Sequence, residues 1–254
     1  MDRRLLTPGL LAIHLLVLLV AVLFVRLGVW QLDRLEERRA ENAVGERRLT
    51  AEPEPATSLL QGEPHPEKLE YRRVIAAGRF DPEHEVLIRS QTHLGNPGFH
   101  VITPLVTESD EAVMVNRGWV PIGFDEAPVV EAPPPDEIVT VEGWLHAGQT
   151  RPPLGRVEPE GRLAILNRVD LDRIEEQLPY PVYGMYMVEM GERADLPIPI
   201  DPPDFADEGP HLAYAIQWFA FALIGAVGYI AVLRRRLRRP QEGLVDMARS
   251  STIS

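Results

Sequence analysis

The strongest constraint on this chain is a pair of long apolar stretches close to its two ends. Leu5–Val25 is apolar apart from Thr7 and His14, and a second stretch runs from His211 to a cluster of arginines. About 20 apolar residues in a helix span the roughly 30 Å hydrocarbon core of a bilayer. The first stretch exceeds the apolar core of a signal peptide, about 7–15 residues, and no small-residue cleavage site follows it. We therefore expect two transmembrane helices, the first of which begins at Pro8 because threonine followed by proline is typical of a helix start.

The arginines predict the topology. Arg3 and Arg4 precede the first stretch, and the second is followed by Arg234, Arg235, Arg236, Arg238 and Arg239. Positively charged flanks stay in the cytoplasm, so both termini are predicted to be cytoplasmic and the two helices to form a hairpin. The predicted organisation is a cytoplasmic N-terminus at residues 1–9, a first transmembrane helix at 10–30, an extracytoplasmic domain at 31–210, a second transmembrane helix at 211–233 and a basic cytoplasmic tail at 234–254.

The charge of the predicted outer domain excludes several classes of function. The whole chain has a net charge of −12, but residues 26–210 alone carry −17. Nucleic acid is a poor partner for such an acidic surface, whereas the lipid bilayer is an expected one. The chain contains no cysteine, which excludes disulfides, thiolate metal sites and a copper chaperone that uses cysteine pairs.

The middle segment has the pattern of a small β domain. Seven stretches favour strands: Tyr71–Phe80, Glu85–Gln91, Phe99–Val106, Ala112–Val120, Ile138–Leu145, Leu163–Val169 and Val182–Met190. We expect the first two to form a hairpin, Gly78 to mark a bulge and Pro104 to lie at a sheet edge or a bulge. Leu171–Leu178 is an amphipathic stretch that follows a helix-capping Asp170. The prediction is a mainly antiparallel β domain, barrel- or sandwich-like, with one short helix, and an irregular connection at Ala51–Glu67.

The histidines do not match a metal-binding spacing. The predicted outer domain contains His65, His84, His93, His100 and His146, and the chain has no motif of a hydrolase, a zinc protease or a phosphate-binding loop. Three of these histidines could converge across neighbouring strands, but we expect scattered surface histidines. For His14 in the first apolar stretch, we expect a hydrogen bond to a neighbouring helix rather than a functional role.

Two groups of residues have a composition suited to binding. His211, Tyr214 and Trp218 lie at i, i+3 and i+7, which places them on one face of the second transmembrane helix. A neutral histidine in a membrane cavity is a usual axial ligand of haem iron. Interfacial belts also contain aromatic residues and histidine, so a purely structural role stays open. The second group is Asn116, Arg117, Gly118 and Trp119 at the end of a predicted strand. Either Arg117 stacks on Trp119 at a turn, or the group contributes to docking.

Five segments resemble, in this order, the surfeit locus protein one family. They are GVWQLDRLEER after the first apolar stretch, YRRVIAAGRFD, GFHVITPL, NRGWVP, and HLAYAIQWF at the start of the second stretch. The resemblance covers nearly the whole chain. One departure is Pro210, which stands where the family is expected to have a polar residue.

The resemblance implies a membrane protein that assists assembly of haem-copper cytochrome c oxidase. The implied partners are subunit I of the oxidase and other oxidase assembly factors, and the implied location is the bacterial cell membrane. It also implies a transient site for haem a with His211 as the iron ligand and Tyr214 and Trp218 beside it. The residues implied to mediate interaction are Trp30, Gln31 and Arg34 after the first helix and Asn116, Arg117, Gly118 and Trp119 in the outer domain. Gly28 and Pro121 also match the two motifs.

Three hypotheses follow. The first is an assembly factor that delivers haem a or shapes its pocket in subunit I, and that needs no catalysis of its own. The second is a scaffold or accessory subunit that binds no haem. The third, a membrane-anchored enzyme, would require a cluster of carboxylates and histidine in a cleft of the outer domain.

Overall fold

The computed structural model describes residues 7–62, 66–149 and 161–238. The chain divides into two compact units, one made of Met1–Glu41 and Ala206–Ser254 and the other of Asn42–Phe205. The helices are α1 (Pro8–Thr50), α2 (Ala56–Gly62), α3 (Leu171–Glu175) and α4 (His211–Arg238). The strands are β1 (Glu54–Pro55), β2 (Arg73–Phe80), β3 (Val86–His93), β4 (Asn96–Val106), β5 (Ala112–Pro121), β6 (Val139–Ala147), β7 (Ile165–Leu166) and β8 (Val182–Glu189).

Both long helices fit a membrane protein. α1 begins at Pro8, as predicted, and continues without interruption far beyond its apolar part to Thr50. α1 and α4 are each long and apolar enough to cross a membrane, and their outward leucines are exposed, for example Leu16 at 60% and Leu223 at 65%. The predicted spans 10–30 and 211–233 lie within these helices. Most of the predicted N-terminus and tail, residues 1–6 and 239–254, lies outside the described residues.

α1 and α4 pack along a seam of residues that repeat every three or four positions. The less exposed side chains on α1 include His14, Val17, Ala21, Phe24, Gly28, Gln31 and Leu35, and those on α4 include His211, Ala215, Trp218, Ala222, Ala226, Tyr229 and Leu233. This spacing is that of two helices packed nearly side by side. At its tightest point the ring of Phe219 occupies the place of a side chain on Gly28, since a Cβ there would lie 2.6 Å from the ring.

The seam contains the contact that was predicted for His14. The Nδ1 atom of His14 forms a hydrogen bond with the hydroxyl of Tyr229 on α4, and the two rings meet edge to face at 5.7 Å. The expectation of a hydrogen bond to a neighbouring helix is confirmed. Ala222 and Ala226 lie on the same seam and leave room for close approach of the helices, as small residues do in membranes.

The β domain is a closed five-stranded barrel with three additional strands. The barrel order is β2, β6, β8, β5 and β4, and pairing of β2 with β4 closes it. All barrel neighbours are antiparallel except β5 and β8. β3 pairs with β4 outside the closed ring, and the two-residue strands β1 and β7 lie at the ends of the sheet. The predicted mainly antiparallel, barrel-like domain is confirmed.

The barrel interior is apolar, as alternation along the strands requires. Its central residues include Leu105 on β4, Val113 and Val115 on β5, Leu145 on β6, and Met185 and Met187 on β8. All six are completely buried. A second buried cluster, with Met114, Trp144 and Tyr186, lies on the opposite face of the same strands and is covered by α3 and the residues before it.

Gly78 and Pro104 lie where the barrel closes. Gly78 still pairs in register with Val139 of β6, so the predicted bulge is wrong. Instead, the backbone of β4 comes close, because a Cβ on Gly78 would lie 2.4 Å from the carbonyl oxygen of Val106. Pro104 pairs with Met114 of β5 on one side. On its other side, the pairing of β4 with β3 ends at Ile102 and the pairing with β2 starts at Leu105. Pro104 lies between these two segments, so its missing N–H removes no hydrogen bond between strands.

Three other predictions need correction. β2 and β3 do not form the predicted hairpin, because the short 3-10 helix Pro82–His84 turns the chain away and β4 pairs with both of them. The strand predicted at Leu163–Val169 shrinks to β7, since only two residues pair with β3. The connection predicted to be irregular contains α2, whose Ala56 is completely buried against the barrel.

The predicted helix after Asp170 forms, but it is shorter than expected. The Asp170 carboxylate accepts a hydrogen bond from the backbone N–H of Arg173 at 3.3 Å, which confirms the predicted cap. The helix α3 ends at Glu175.

Replacing Gly78 with alanine should destabilise the barrel. The added methyl group would meet backbone of β4 rather than a side chain that can move away, so we expect Gly78→Ala to lower the free energy of unfolding by about 1–3 kcal/mol. Denaturant unfolding of the detergent-solubilised chain, followed by near-ultraviolet circular dichroism, measures this.

Gly184→Ala in β8 is the matched control, because nothing lies within 4 Å of its Cβ position. It should change the free energy of unfolding by less than about 0.5 kcal/mol. Equal effects of the two substitutions would contradict the close approach at Gly78.

Candidate functional site

His211, the first residue of α4, is held by a residue of α1. Its Nδ1 atom lies 2.9 Å from the side-chain oxygen of Gln31. An amide oxygen only accepts hydrogen bonds, so Nδ1 carries the proton and donates it. In the neutral imidazole, the other ring nitrogen, Nε2, then has a free lone pair. A hydrogen bond that fixes the tautomer and the ring orientation in this way is typical of histidines that bind metals.

The Nε2 edge of His211 faces a residue that has no side chain. Gly209 has φ +68, a left-handed conformation that favours glycine. A Cβ on Gly209 would lie 3.7 Å from Nε2 of His211. The glycine therefore permits the turn into α4 and leaves space beside the nitrogen that has the lone pair.

Aromatic rings continue the seam from His211. Trp218 lies seven residues further along α4, about 10 Å along the helix axis. Its ring packs against Phe24 of α1 at 5.6 Å and against Phe221 at 5.9 Å. Tyr214, in contrast, is 47% exposed. The structure thus places His211 and Trp218 on the face toward α1 and leaves the Tyr214 side chain outside it, so the prediction that all three share one face is wrong for Tyr214.

The motif on α1 divides between the two faces of that helix. Gln31 and Gly28 contact α4, as described above. Trp30 is 48% exposed, and the guanidinium of Arg34 lies 5.7 Å from the centre of its ring. Arg34 also forms an exposed ion pair with Glu37 at 2.5 Å. Gln31 and His211 are both motif positions in the sequence, but no sequence pattern indicates that their side chains meet.

An ion pair next to this site links α1 to the segment before α4. The guanidinium of Arg39 donates to both carboxylate oxygens of Glu208, at 2.7 and 2.8 Å. Two parallel bonds fix the geometry better than a single contact does. The sequence offered no signal for this pair, because it joins residues 169 positions apart.

The residues around His211 fit a single axial ligand for haem iron. The donor is a neutral imidazole whose tautomer is fixed, with aromatic rings further along the same face. In residues 7–62, 66–149 and 161–238, no group of three or more histidines and carboxylates is arranged to hold a metal ion. A multidentate metal site of this kind is therefore not formed by the described residues.

The second predicted group, Asn116 to Trp119, lies in the middle of the β domain and not at a surface turn. Asn116, Arg117 and Trp119 are exposed by only 2%, 4% and 5%. Arg117 is the extra residue where the pairing of β4 and β5 shifts register. Its guanidinium lies 5.6 Å from the centre of the Phe80 ring. Arg117 therefore stacks on an aromatic ring as predicted, but the ring is that of Phe80 and not that of Trp119. A docking role for this group stays a prediction.

Arg117 belongs to a buried network with Glu85, for which the sequence offers no signal because the two residues lie in different strand regions. Arg117 donates to the Glu85 carboxylate at 3.3 Å and to the carbonyl of Ala132 at 2.9 Å. Glu85 also accepts from the hydroxyl of Thr103 at 2.7 Å and from the N–H of Val129 at 2.8 Å. Burial lowers the pKa of Arg117, and the Glu85 charge opposes that shift. The network fixes the loop 124–138 to the barrel.

Gly118 is required by a second close approach. It has φ +133, and a Cβ would lie 2.3 Å from the carbonyl oxygen of Ile198. The neighbouring Trp119 exchanges two backbone hydrogen bonds with Ile198, at 2.7 and 2.8 Å. The glycine therefore allows the segment after β8 to pair with the edge of β5 at the bulge.

The histidines of the β domain have separate partners. His84 lies 2.7 Å from the Asp81 carboxylate, His93 packs on the ring of Trp119 at 5.3 Å, and His146 lies 2.5 Å from Glu70. His100 accepts from the side-chain amide of Asn116 at 3.3 Å. His65 lies outside the described residues.

Comparison with known proteins gives the family. The model of the SURF1 family matches residues 18–223, which include most of α1, the first part of α4 and the whole β domain. The chain belongs to the SURF1 family.

Relatives of this SURF1 family member occur in bacteria and eukaryotes. A SURF1-like protein of Mycobacterium tuberculosis is 28% identical over 250 residues, which cover 94% of this chain and 89% of that protein. A SURF1-like protein of Rickettsia felis is 25% identical over 87% of this chain and 96% of its own length. The cytochrome oxidase assembly protein SHY1 of Saccharomyces cerevisiae is 33% identical over 95 residues, 37% of this chain and 24% of the yeast protein.

Removing the Glu85 carboxylate should be costly. Glu85→Ala would leave the Arg117 charge buried without its partner, and such losses cost about 3–5 kcal/mol of stability. Glu176→Ala is the matched control, because Glu176 forms an ion pair with Arg173 while 70% of its side chain is exposed. We expect the control to cost less than about 1 kcal/mol in the same unfolding measurement, and similar losses would contradict the role of the network.

His100 should make the β domain sensitive to acid. Burial lowers its pKa from 6.5 to about 4, so between these values the unfolded chain takes up a proton that the folded chain does not. Stability should therefore fall as the pH decreases from 6.5 to about 4. Between pH 7 and 4.5 this group accounts for about 2 kcal/mol. We expect the His100→Gln variant to lose that much less stability over the same range in denaturant unfolding; an unchanged pH dependence would show that the imidazole is not the cause.

Proposed function

We propose that this SURF1 family protein is an assembly factor for haem-copper cytochrome c oxidase that helps haem a reach subunit I. The family and the name of the yeast relative support the link to the oxidase. The hydrogen bond between His211 and Gln31 carries the proposal for haem, since it leaves Nε2 of His211 free to bind iron. Haem a is the cargo in this proposal, and the protein catalyses no reaction.

A single axial histidine suits transient binding. One protein ligand leaves the other axial position of the iron for a ligand from a partner, so the cargo can be passed on by exchange of ligands. The hydrogen bond from Nδ1 to Gln31 orients the imidazole and increases its basicity. Trp218, on the same face of α4 as His211, offers aromatic surface for a porphyrin.

The two long helices support a location in the cell membrane. The arginines at the C-terminal end of α4 favour a cytoplasmic position for that end, which would place the β domain on the extracytoplasmic side. The lipid bilayer, subunit I and other oxidase assembly factors are the partners in this proposal.

The second candidate function is a scaffold of the oxidase complex that binds no haem. It is favoured by the exposed rings of Trp30 and Tyr214, which are 48% and 47% accessible. Large aromatic side chains with this exposure are typical anchors of protein interfaces. In that case the exposed rings of Trp30 and Tyr214 would contact subunit I directly.

An absorption spectrum of the purified protein tests the haem site. The chain is expressed in a host that makes haem a and purified in detergent, and haem is measured per protein. We expect a haem a signal in the wild type and its loss in His211→Ala. Gln31→Leu removes only the orienting hydrogen bond and should weaken haem affinity about 10–100-fold.

His14→Gln is the matched control, because His14 is the other histidine on the seam between α1 and α4. It should retain haem. A His211→Ala protein with as much haem as the wild type would exclude the ligand role, and a wild type without haem that co-purifies with subunit I would favour the scaffold.

A further inference from the structure

We infer that the β domain contains a second binding site, separate from His211, for a small uncharged planar ring that bears a carbonyl group. The site is a partly enclosed pocket of about 290 Å³. It includes His100, Asn116, Trp144, His146 and Tyr186 among its lining residues. This inference does not depend on the proposed handling of haem.

The pocket lies on the outer face of the barrel. Alternate residues of a strand point to opposite faces of a sheet. Val115, Leu145 and Met187 belong to the interior cluster, so their neighbours Asn116, Trp144, His146, Tyr186 and Val188 point outward. Strands β4, β5, β6 and β8 thus form a rigid floor, and rigid strands position binding groups better than loops do.

The floor presents a hydrogen-bond donor. The N–H of Gly118 donates to the side-chain oxygen of Asn116 at 3.2 Å, which fixes the orientation of the amide. The amide nitrogen of Asn116 therefore donates to Nδ1 of His100 at 3.3 Å, and the proton of the neutral imidazole must be on Nε2. Among the residues that the structure describes, no group accepts a hydrogen bond from this Nε2.

A second polar group of the same kind is the hydroxyl of Tyr186. The Tyr186 residue is only 5% exposed, and within the described ranges its hydroxyl has no hydrogen-bond partner. The hydroxyl oxygen itself is not fully buried, so a ligand or a water molecule can reach it and complete the hydrogen bond. His100 and Tyr186 each present a donor within the pocket, and either can bind an acceptor such as a carbonyl oxygen.

The walls of the pocket favour a flat molecule. The rings of His146 and Tyr186 are stacked, with centres 5.2 Å apart and an angle of 26° between their planes. Tyr71 packs beside His146 at 6.1 Å, and Trp144 is a further lining residue. Aromatic faces of this kind pack well on another planar ring.

The charges around the pocket disfavour an anionic ligand. No lysine or arginine is among the lining residues, and Asp201 is the one charged residue among them. The carboxylate of Glu70 lies 2.5 Å from His146. Asp201 and Glu70 are acidic and no lysine or arginine among the lining residues opposes them, so a carboxylate or a phosphate is disfavoured and the hydrogen-bond acceptor belongs to an uncharged molecule.

The volume limits the size of the ligand. Pockets for drug-sized molecules measure about 300–1,000 Å³, and this pocket lies at the lower end of that range. It fits one or two fused rings and not a porphyrin. The pocket is therefore not a second site for haem.

Isothermal titration calorimetry with coumarin tests the site. Coumarin is an uncharged pair of fused rings with one carbonyl group. We expect the full-length protein in detergent to bind it, and coumarin-3-carboxylate, which has the same rings and a negative charge, to bind at least tenfold more weakly. His100→Leu and Tyr186→Phe should each weaken coumarin binding about fivefold, as expected for one lost hydrogen bond.

Two further variants keep the test decisive. Gln149→Trp places a bulky side chain at the exposed rim and should block coumarin without disturbing the floor, even if His100→Leu fails to fold. His211→Ala should bind coumarin like the wild type, because it affects the proposed haem site alone. Equal titrations of the wild type, Tyr186→Phe and Gln149→Trp would overturn the inference, since coumarin would then be entering only the detergent. Equal affinity for coumarin and its carboxylate would also overturn it.

Discussion

The β domain depends on the pairing of β2 with β4. Two residue pairs, Arg79 with Val106 and Phe80 with Leu105, turn an open sheet into a barrel. Closure satisfies backbone groups that would otherwise form two open edges. It also fixes the register of every barrel strand, and a slip of one residue would exchange the inner and outer faces. The apolar interior and the polar pocket on the outer face therefore both follow from this short contact.

The packing of α1 against α4 depends on other interactions, because in lipid the burial of apolar side chains against one another gives little stabilisation. Between α1 and α4 the backbones come close at Gly28, and small residues such as Ala222 and Ala226 occupy the seam. Polar contacts lie at both ends of this stretch, His14 with Tyr229 and Gln31 with His211. Hydrogen bonds between helices fix their rotation and register where burial cannot do so.

Two histidines of this protein have their ring protons placed on different nitrogens by a neighbouring side-chain amide. Gln31 offers its oxygen to His211, so the proton is on Nδ1 and the lone pair on Nε2. Asn116 offers its nitrogen to His100, so the proton is on Nε2. The same side chain thus becomes a candidate ligand for a metal in one unit and a donor for a carbonyl in the other. The difference lies in which end of an amide the neighbouring residue presents.

The sequence by itself determined the two long apolar helices, the start of α1 at Pro8, the cap at Asp170 and the presence of a mainly antiparallel β domain. These features depend on local composition and on spacing along one element. Tertiary structure alone decided the barrel closure, the roles of Gly78 and Pro104, the burial of Arg117 against Glu85, and the contact between Gln31 and His211. Each of these joins residues that are distant in the chain, and the periodicity of a single segment carries no information about which segment packs against it.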